Sequence, residues 1–361
     1  MPVSLVVGGQ FGSEGKGKVS LVLARLHQGK PVTLVRVGGP NSGHTGYDKW
    51  GQEFALRQLP AGCIDRNVDV VFPAGSYIDS DVLLGEIGAL NYPKERIFIS
   101  PYARIVTKEH KAWEKASGLG GSIGSTGSGV GAAVMASVAR GAKNFELHSV
   151  LAQDWDPIAK YVYNAKTRVA HDTTEMMRAC LQKNGRIIVE GTQGFGLSLL
   201  EGGYGNKATS RSTTAAAALA EAGLSPRDVD DVTLVIRSFP IRVAGNSGPL
   251  SGELNWEDVA SHFRQGDDLR EYTTVTKKLR RVGPFDADLV KRAIQANHPD
   301  RLVMNHLDYV GSPEDLAVSN NRLSKFVDDV QASLGRSIDW FGFSEFDVME
   351  NSRALNFVYD R

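Results

Sequence analysis

The sequence predicts an α/β fold with a mainly parallel central β-sheet flanked by helices, built as a single large domain over residues 1–361. Three observations predict it. Short β-branched runs alternate with helical stretches along the chain, which is typical of α/β proteins. Several runs are apolar at consecutive positions, as expected where helices cover both faces of a parallel sheet. No repeat, low-complexity linker or composition shift marks a domain boundary.

The individual elements follow from the local pattern of residues. Strands are predicted where β-branched residues cluster in runs of about four to six, at 3–7, 32–37, 68–72, 96–99, 186–190, 232–237 and 301–305. Helices are predicted where the stretches between these runs are longer, at 15–28, 81–90, 108–116, 130–140, 173–183, 211–222, 287–296 and 323–334.

The composition excludes several classes of protein. Lysine and arginine total 41 and aspartate and glutamate total 41, so the net charge is zero and any phosphate site must be local. Two cysteines, Cys63 and Cys180, cannot form a disulfide framework and suit a reducing compartment. No signal peptide and no run of eighteen apolar residues is visible. We therefore expect a cytoplasmic protein (host cytoplasm if phage-encoded) that binds neither nucleic acid nor membrane.

A glycine-rich loop joins the first predicted strand to the first helix. Residues 8–18, GGQFGSEGKGK, contain five glycines and two lysines. Such a loop presents backbone N–H groups at a helix N-terminus, which favours bound phosphate. The spacing from Gly12 to Gly17 and Lys18 nearly fits a phosphate loop, but Val19 stands where Ser or Thr would hold magnesium. This argues against a standard phosphate-loop NTPase regulator.

Two further glycine-rich stretches contain residues that are candidates for ligand binding. Residues 38–45, GGPNSGHT, follow the second strand, where loops at the carboxyl ends of strands line a ligand crevice, and His44 lies there. Residues 118–131 carry seven glycines interleaved with Ser122, Ser125, Thr126 and Ser128. That stretch suits either a phosphate-wrapping loop or a flexible surface loop.

In combination, six segments resemble the motifs of the adenylosuccinate synthetase family, in the same order. They are GGQFGSEGKGK, GGPNSGHT, IGSTGSGVG, EGTQG, ATSRSTTAA and TVTKKLRRVG. The resemblance implies a ligase that uses Mg²⁺ to transfer the γ-phosphoryl group of a nucleoside triphosphate to the O6 of a purine nucleotide. The amino group of L-aspartate then displaces phosphate from C6. Phosphoryl transfer of this kind depends on positioning and on neutralisation of charge.

The resemblance also implies the site residues and a homodimer. The catalytic residues would be Ser13 and His44, with Gly43 (through its carbonyl) and Ser13 at the metal. The nucleoside triphosphate would be bound by Gly12, Ser13, Glu14, Gly15, Lys16, Gly17, Lys18, Gly43, His44, Thr45, Asn305, His306, Asp308 and Gly342. The purine monophosphate would be bound by Ser13, Asn41, Ser125, Thr126, Gln193, Thr209 and, from the neighbouring subunit, Arg140. Aspartate would be bound by Thr273, Thr274, Val275, Thr276, Lys278 and Arg280.

The main departure from the family pattern is Ser13, where adenylosuccinate synthetases carry an aspartate that takes the N1 proton of the purine. A serine hydroxyl is a poor base, but its small neutral side chain leaves room for the 2-amino group of guanine. This resembles the phage branch of the family, the 2-aminoadenylosuccinate synthetases, which act on dGMP for 2-aminoadenine synthesis. The group that accepts the N1 proton stays open among phosphate, metal-bound water and Glu14.

Three departures concern the other substrates. Lys278 replaces an arginine that touches the ribose 2′-hydroxyl, which suits a deoxynucleotide. His306 replaces the lysine of the guanine-reading motif, and residues 341–344 lack the family's Ser-Thr-Gly-Pro. Both changes favour ATP or dATP as donor, whereas Asp308 keeps GTP open. The alternatives are an ordinary IMP-specific adenylosuccinate synthetase, an inactive enzyme and a non-catalytic nucleotide-binding protein.

Overall fold

The computed structural model describes residues 2–27, 29–65, 67–140, 151–152, 157–158, 173–263, 268–273 and 277–351. Their strands are β1 (Val3–Gly8), β2 (Val32–Arg36), β3 (His44–Tyr47), β4 (Glu53–Leu56), β5 (Asp69–Phe72), β6 (Tyr77–Ile78), β7 (Ile97–Ile99), β8 (Arg104–Ile105), β9 (Arg186–Glu190), β10 (Val229–Arg237), β11 (Ile241–Arg242), β12 (Arg281–Val282), β13 (Arg301–Asn305), β14 (Trp340–Phe341) and β15 (Met349–Glu350). Nine of these strands form one sheet in the order β15-β14-β13-β10-β1-β9-β2-β5-β7.

The sheet is parallel throughout except for the edge pair β14–β15, so the predicted α/β class is confirmed. All seven predicted strands lie in it. The edge strands β14 and β15 were not predicted, because two residues are too few to show a strand pattern. That residues 1–361 form one domain stays a prediction.

Helices cover both faces of the sheet. They are α1 (Lys16–Leu26), α2 (Ser80–Leu90), α3 (Lys108–Ala116), α4 (Leu119–Ile123), α5 (Val130–Ala139), α6 (Thr173–Gln182), α7 (Ala215–Ala222), α8 (Trp256–Phe263), α9 (Ala287–Asn297) and α10 (Arg322–Leu334). Strand β1 shows why its run is apolar at consecutive positions. Leu5 and Val7 pack into one hydrophobic core, whereas Val6 between them packs into a second core on the opposite face.

One predicted helix boundary and two predicted loops differ from the structure. The helix predicted from residue 211 begins at Ala215, because the side chain of Thr214 caps it by accepting a hydrogen bond from the amide of Ala217. The stretch from His44 to Leu56 forms the antiparallel hairpin β3–β4, so His44 begins a strand rather than lying within a loop. Residues 118–131 are not all loop, since α4 lies within them.

The carboxyl ends of the central strands bring the predicted motifs to one edge of the sheet. Strands β1 and β9 run in parallel and end at Gly8 and Glu190, and the neighbouring strand β2 ends at Arg36. On the other side, β10 and β13 end together at Arg237 and Asn305. The loops that follow these five strands therefore share the crevice at this edge. Among the described residues, no helix is long and apolar enough to span a membrane.

Candidate active site

The loop from Gly8 to Lys16 is folded around the carboxylate of Glu14. This carboxylate is fully buried and accepts hydrogen bonds from the amides of Gln10 (3.1 Å) and Gly12 (2.8 Å). Lys16 forms an ion pair with it at 2.8 Å. The side chains of Glu14 and Lys16 thus hold the loop in shape, and their contact with triphosphate stays a prediction. These contacts turn the Glu14 carboxylate toward the loop interior, which disfavours Glu14 as the acceptor of the N1 proton relative to phosphate or metal-bound water.

Ser13 lies at the turn of this loop in a left-handed conformation, with φ of +59°. Such a φ is uncommon for a residue other than glycine and persists where the surroundings impose it. Two arginines contact Ser13, one at its side chain and one at its backbone. Arg280 donates from Nη1 to the Ser13 hydroxyl oxygen at 2.8 Å, and Arg237 donates from Nη1 to the Ser13 carbonyl at 3.0 Å. Ser13 and Arg280, assigned to different substrates, are therefore in direct contact.

The buried charge of Arg237 is balanced by Glu271. The two side chains form an ion pair, and Glu271 also accepts a hydrogen bond from the Tyr309 hydroxyl at 2.8 Å. Although burial alone would raise it, the positive charge of Arg237 lowers the pKa of Glu271 to about 2. This network joins the first loop to the segment that precedes Arg280. Sequence analysis missed all three residues, although Arg237 is a charged residue at the end of an apolar strand.

His44 is held by two charged residues that sequence analysis also missed. Its Nδ1 lies 2.5 Å from Oε1 of Glu190 and 2.7 Å from Nη1 of Arg36. Arg36 and Glu190 pair with each other at 2.9 Å, since they are the last residues of the neighbouring strands β2 and β9. All three side chains are buried. The sequence did offer one signal, because Arg36 and Glu190, like Arg237, are charged residues at the end of an apolar strand.

The first loop and His44 are adjacent in space. A Cβ added at Gly17 would lie 2.9 Å from Cβ of His44 and 3.3 Å from the carbonyl oxygen of Thr45. Only glycine allows this approach. Gly43, between Ser42 and His44, is exposed. The structure therefore brings the loop of residues 8–18 and the segment from Gly43 to Thr45 together, as expected.

Two buried amide oxygens lie in the part of the site predicted to hold the purine nucleotide. In the described structure, Oδ1 of Asn41 and Oε1 of Gln193 have no hydrogen-bond partner. The backbone of Gln193 is tied to the same region, because its amide donates to the Ser42 hydroxyl at 3.3 Å. Since buried polar atoms are almost always hydrogen-bonded, these two oxygens are suited to a ligand that donates hydrogen bonds.

The glycine-rich segment after α4 is fastened to α3. The Ser125 hydroxyl and the Gly129 amide both donate to the carboxylate of Glu114. Ser125 therefore supports the loop from within, whereas the Thr126 hydroxyl lies at 2.8 Å from that of Ser128. Of the two interpretations left open by the sequence, an ordered loop fits these contacts better than a flexible one.

The two remaining residues predicted to bind the purine nucleotide, Thr209 and Arg140, make fewer contacts with the rest of the site. Thr209 is half-buried, and its amide donates to the carbonyl of Leu197 at 2.8 Å. Arg140 is exposed at the C-terminal end of α5, in a left-handed conformation. No contact among the described residues joins Arg140 to the first loop, and its role in a neighbouring subunit stays a prediction.

The predicted triphosphate end surrounds Gly342. A Cβ there would lie 2.0 Å from Oδ1 of Asn305 and 2.6 Å from Nζ of Lys18, so only glycine fits. Asn305 donates to the carbonyl of Glu14 at 2.7 Å, and Lys18 donates to that of Ser344 at 2.7 Å. Burial lowers the pKa of Lys18 to about 8 despite the opposing charge of Asp308.

His306 follows Asn305 in a left-handed conformation with φ of +60°. Burial, and then the positive charge of Arg237, lower its pKa to about 3, so the imidazole is neutral at pH 7. Its ring packs edge-on against that of Tyr309, with centroids 5.3 Å apart. A neutral imidazole replaces here the lysine of the family's guanine-reading motif.

The aspartate segment is described in part. Thr273 is buried and accepts a hydrogen bond from the amide of Lys278 at 3.0 Å, while Lys278 itself is exposed. Arg280 reaches Ser13. Thr274, Val275 and Thr276 lie outside the described residues.

Comparison with known proteins connects this site to one family. The family model of adenylosuccinate synthetase matches residues 5–154 and 142–323. The adenylosuccinate synthetase of Pyrococcus sp. (strain ST700) is 35% identical over 344 residues, which cover 93% of this chain and 94% of that protein. That of Methanocaldococcus jannaschii is 33% identical over 309 residues, which cover 84% of this chain and 82% of that protein.

Two solved structures resemble the chain over nearly its whole length. One is the cyanophage S-2L succinoaminodeoxyadenylate synthetase (PurZ) bound to dGMP and dATP as an energy donor. Its TM-score is 0.79 at 29% identity, and the match covers 100% of this chain and 99% of that one. The other is the fully ligated adenylosuccinate synthetase of Plasmodium falciparum, with a TM-score of 0.76 at 20% identity and coverage of 97% and 99%. The latter supports the fold alone.

Proposed function

Because the chain belongs to the adenylosuccinate synthetase family of ligases that form a C–N bond, we propose that it joins L-aspartate to C6 of dGMP. The donor is ATP or dATP. The products are N6-succino-2-amino-2′-deoxyadenylate (2-aminoadenylosuccinate), ADP or dADP, and phosphate. This nucleotide is a precursor for 2-aminoadenine synthesis.

The observation that carries the choice of dGMP is Ser13. Its small neutral side chain stands where the family's carboxylate would face the purine N1, and it leaves space for the 2-amino group. The Asn41 and Gln193 oxygens add buried acceptors near the purine, and guanine offers more N–H donors than hypoxanthine. Similarity to the cyanophage S-2L enzyme, which binds dGMP and dATP, supports the same substrates.

The chemistry proceeds in two displacements. The purine O6 attacks the γ-phosphorus, the bond to the β-phosphate oxygen breaks and the nucleoside diphosphate leaves, while N1 loses its proton. The amine of aspartate then attacks C6, loses a proton, and phosphate departs with O6. His44, held by Glu190 and Arg36, assists the transfer of the γ-phosphoryl group. Of the amides in the first loop, those of Gln10 and Gly12 bond Glu14, so the phosphates are bound by amides closer to the start of α1.

Magnesium fits this site as an ion carried mainly by the nucleotides. The described residues contain no cluster of three or more His, Cys, Asp or Glu side chains that could hold a metal. Mg²⁺ takes many of its ligands from phosphates and water, so it needs few ligands from the chain. The exposed Gly43 would supply its carbonyl oxygen as a ligand. The guanidinium of Arg280 beside the Ser13 hydroxyl disfavours Ser13 as a metal ligand. When bound, Mg²⁺ neutralises phosphate charge.

The second candidate is the ordinary reaction of IMP and aspartate with GTP. It is favoured by the relatives at 33–35% identity, which are adenylosuccinate synthetases, and by the retained Asp308. We also propose that the chain acts as a homodimer in which Arg140 completes the neighbouring site.

A phosphate-release assay separates the two candidates. The purified protein is tested with L-aspartate, Mg²⁺ and each pairing of dGMP, GMP or IMP with ATP, dATP or GTP. We expect release to need purine nucleotide and aspartate together, and to be fastest with dGMP and ATP or dATP. Fastest release with IMP and GTP would establish the ordinary reaction instead, and no release with any pairing would contradict both.

A further inference from the structure

One guanidinium lies between two segments that are assigned to different substrates. Nη1 of Arg280 donates to the Ser13 hydroxyl oxygen at 2.8 Å. The rest of Arg280 is anchored, since its amide donates to the carbonyl of Glu271 at 2.8 Å and its Nε to that of Tyr272 at 3.3 Å. Among the described residues, Nη2 meets no hydrogen-bond acceptor, so an anionic ligand can take it.

We propose that Arg280 is a positioning residue for Ser13 and that it connects the aspartate site to the N1 edge of the purine. The inference rests on the proposed function only in that a purine nucleotide and aspartate are the substrates. It does not depend on which purine is used.

The argument begins with the hydrogen-bonding capacity of a hydroxyl. A serine Oγ carries one proton and two acceptor positions. Arg280 occupies one acceptor position, which leaves one acceptor and one donor for a ligand. The N1 of guanine or hypoxanthine carries a proton before O6 is phosphorylated and a lone pair afterwards. Ser13 can therefore accept from N1–H in the substrate and donate to N1 in the intermediate, whereas a carboxylate can only accept.

Arg280 sets the position from which the Ser13 hydroxyl can first accept a hydrogen bond from N1–H and then donate one to N1. Ser13 already has an imposed backbone conformation through Arg237 and its own φ of +59°. The contact from Arg280 then fixes the one remaining rotation, that of the side chain. A carboxylate of aspartate on Nη2 would bind the same planar group, and a guanidinium has the fork geometry to hold two acceptors at once.

A double-mutant cycle tests this coupling. Affinities for whichever of dGMP, GMP or IMP the wild type binds are measured by calorimetry, without aspartate, for the wild type, Ser13→Ala, Arg280→Lys and the double variant. We expect each single change to weaken binding by about fivefold to tenfold, the range of one lost hydrogen bond. The double variant should be no weaker than Ser13→Ala, because Arg280 acts through that hydroxyl.

Two further measurements complete the test. Arg280→Lys should raise the KM for aspartate in turnover. Arg281→Lys is the matched control, because Arg281 faces away and pairs with Glu253 at 2.5 Å, so nucleotide affinity should not change. Additive losses in the cycle, or a raised KM for aspartate with unchanged nucleotide affinity, would overturn the proposal. If the wild type binds IMP and not dGMP, the proposed substrate fails while the cycle, run with IMP, still decides this inference.

Discussion

Nδ1 of His44 lies 2.5 Å from Oε1 of Glu190, and the same oxygen accepts a hydrogen bond from Nη1 of Arg36 at 2.9 Å. A carboxylate only accepts, so the contact with Glu190 requires the imidazole proton on Nδ1, whereas Nη1 of Arg36, at 2.7 Å from the same Nδ1, requires that nitrogen to accept. The tautomer of His44 therefore depends on which of these two neighbours Nδ1 bonds. Burial, and then the charge of Arg36, lower the pKa of His44 to about 4. His44 is thus a neutral, oriented imidazole at pH 7, in an arrangement like the one by which a carboxylate orients histidine in hydrolases.

Removing this imidazole should abolish most of the turnover. For His44→Ala we expect phosphate release to fall by about 10²-fold or more, the usual contribution of a positioned acid–base group. Nucleotide affinity, measured separately by calorimetry, should change much less, because the loop amides remain. Wild-type turnover in this variant would remove His44 from the mechanism.

Glu190 should matter for stability as well as for activity. In Glu190→Gln the fully buried Arg36 loses its anionic partner. Breaking one side of such a pair typically costs about 3–5 kcal/mol of unfolding free energy. His44→Ala keeps the Arg36–Glu190 pair and is the control, so urea denaturation should find it clearly more stable than Glu190→Gln. Equal stability of the two variants would contradict the importance of the ion pair.

The lowered pKa values of His44 and His306 predict loss of stability in acid. The pKa of His306 is lowered to about 3 by burial and then by Arg237, and that of His44 to about 4 by burial and then by Arg36. An unfolded histidine titrates near 6.5, so between about pH 6.5 and 4 the unfolded chain binds protons that the folded chain does not. The free energy of unfolding should therefore fall as the pH decreases through this window.

His306→Asn isolates one of these groups. Asparagine does not titrate and tolerates the left-handed φ of +60° at this position. Urea unfolding at several pH values from 7 to 5 should show a smaller loss of stability in the variant than in the wild type. Parallel curves for the two proteins would show that His306 is not neutral in the folded state.

Much of the fold could be predicted because each strand and helix leaves a residue pattern within a short stretch of sequence. Each of the seven predicted strands is a short run rich in apolar residues, and burial on both faces of β1 explains why Leu5, Val6 and Val7 are apolar in succession. Start points of helices were harder. Arg211 was assigned to a helix, but the helix begins at Ala215, after the Thr214 cap. The guanidinium of Arg211 pairs with Glu221 and donates to Thr192 at 3.0 Å, contacts that no local pattern shows.

The site residues taken from the family motifs could be named, but their partners could not. Arg237 lies 224 residues from Ser13 along the chain and Arg280 lies 267 residues from it. Contacts at such separations leave no periodic or spacing signal. The one local signal was a charge at the end of an apolar strand, at Arg36, Glu190 and Arg237. Burial of a charge there requires a partner, and the partner lay in the site each time.

The position of Arg140 predicts a site shared between two subunits. Arg140 is exposed just after α5, and the neighbouring Val138 is an apolar side chain that is 74% exposed. We expect Arg140→Ala and His44→Ala to be nearly inactive alone and to regain activity when mixed, because one of the two equivalent sites then becomes intact. Wild-type activity in a strictly monomeric preparation, or no recovery after subunit exchange, would contradict this.

The choice of purine is tested most directly at position 13. Aspartate and asparagine both tolerate the left-handed φ of +59°, so Ser13→Asp and Ser13→Asn differ in charge rather than in backbone strain. In Ser13→Asp, the longer carboxylate takes the space for the 2-amino group and pairs with Arg280. We expect kcat/KM for dGMP to fall by roughly 5- to 150-fold, the effect of about 1–3 kcal/mol at a buried polar edge, and the ratio of IMP to dGMP turnover to rise. Ser13→Asn has the same bulk without the charge, so it should lose dGMP turnover without gaining IMP turnover. If the wild type turns over IMP faster than dGMP at equal concentration, Ser13 does not select the 2-aminopurine.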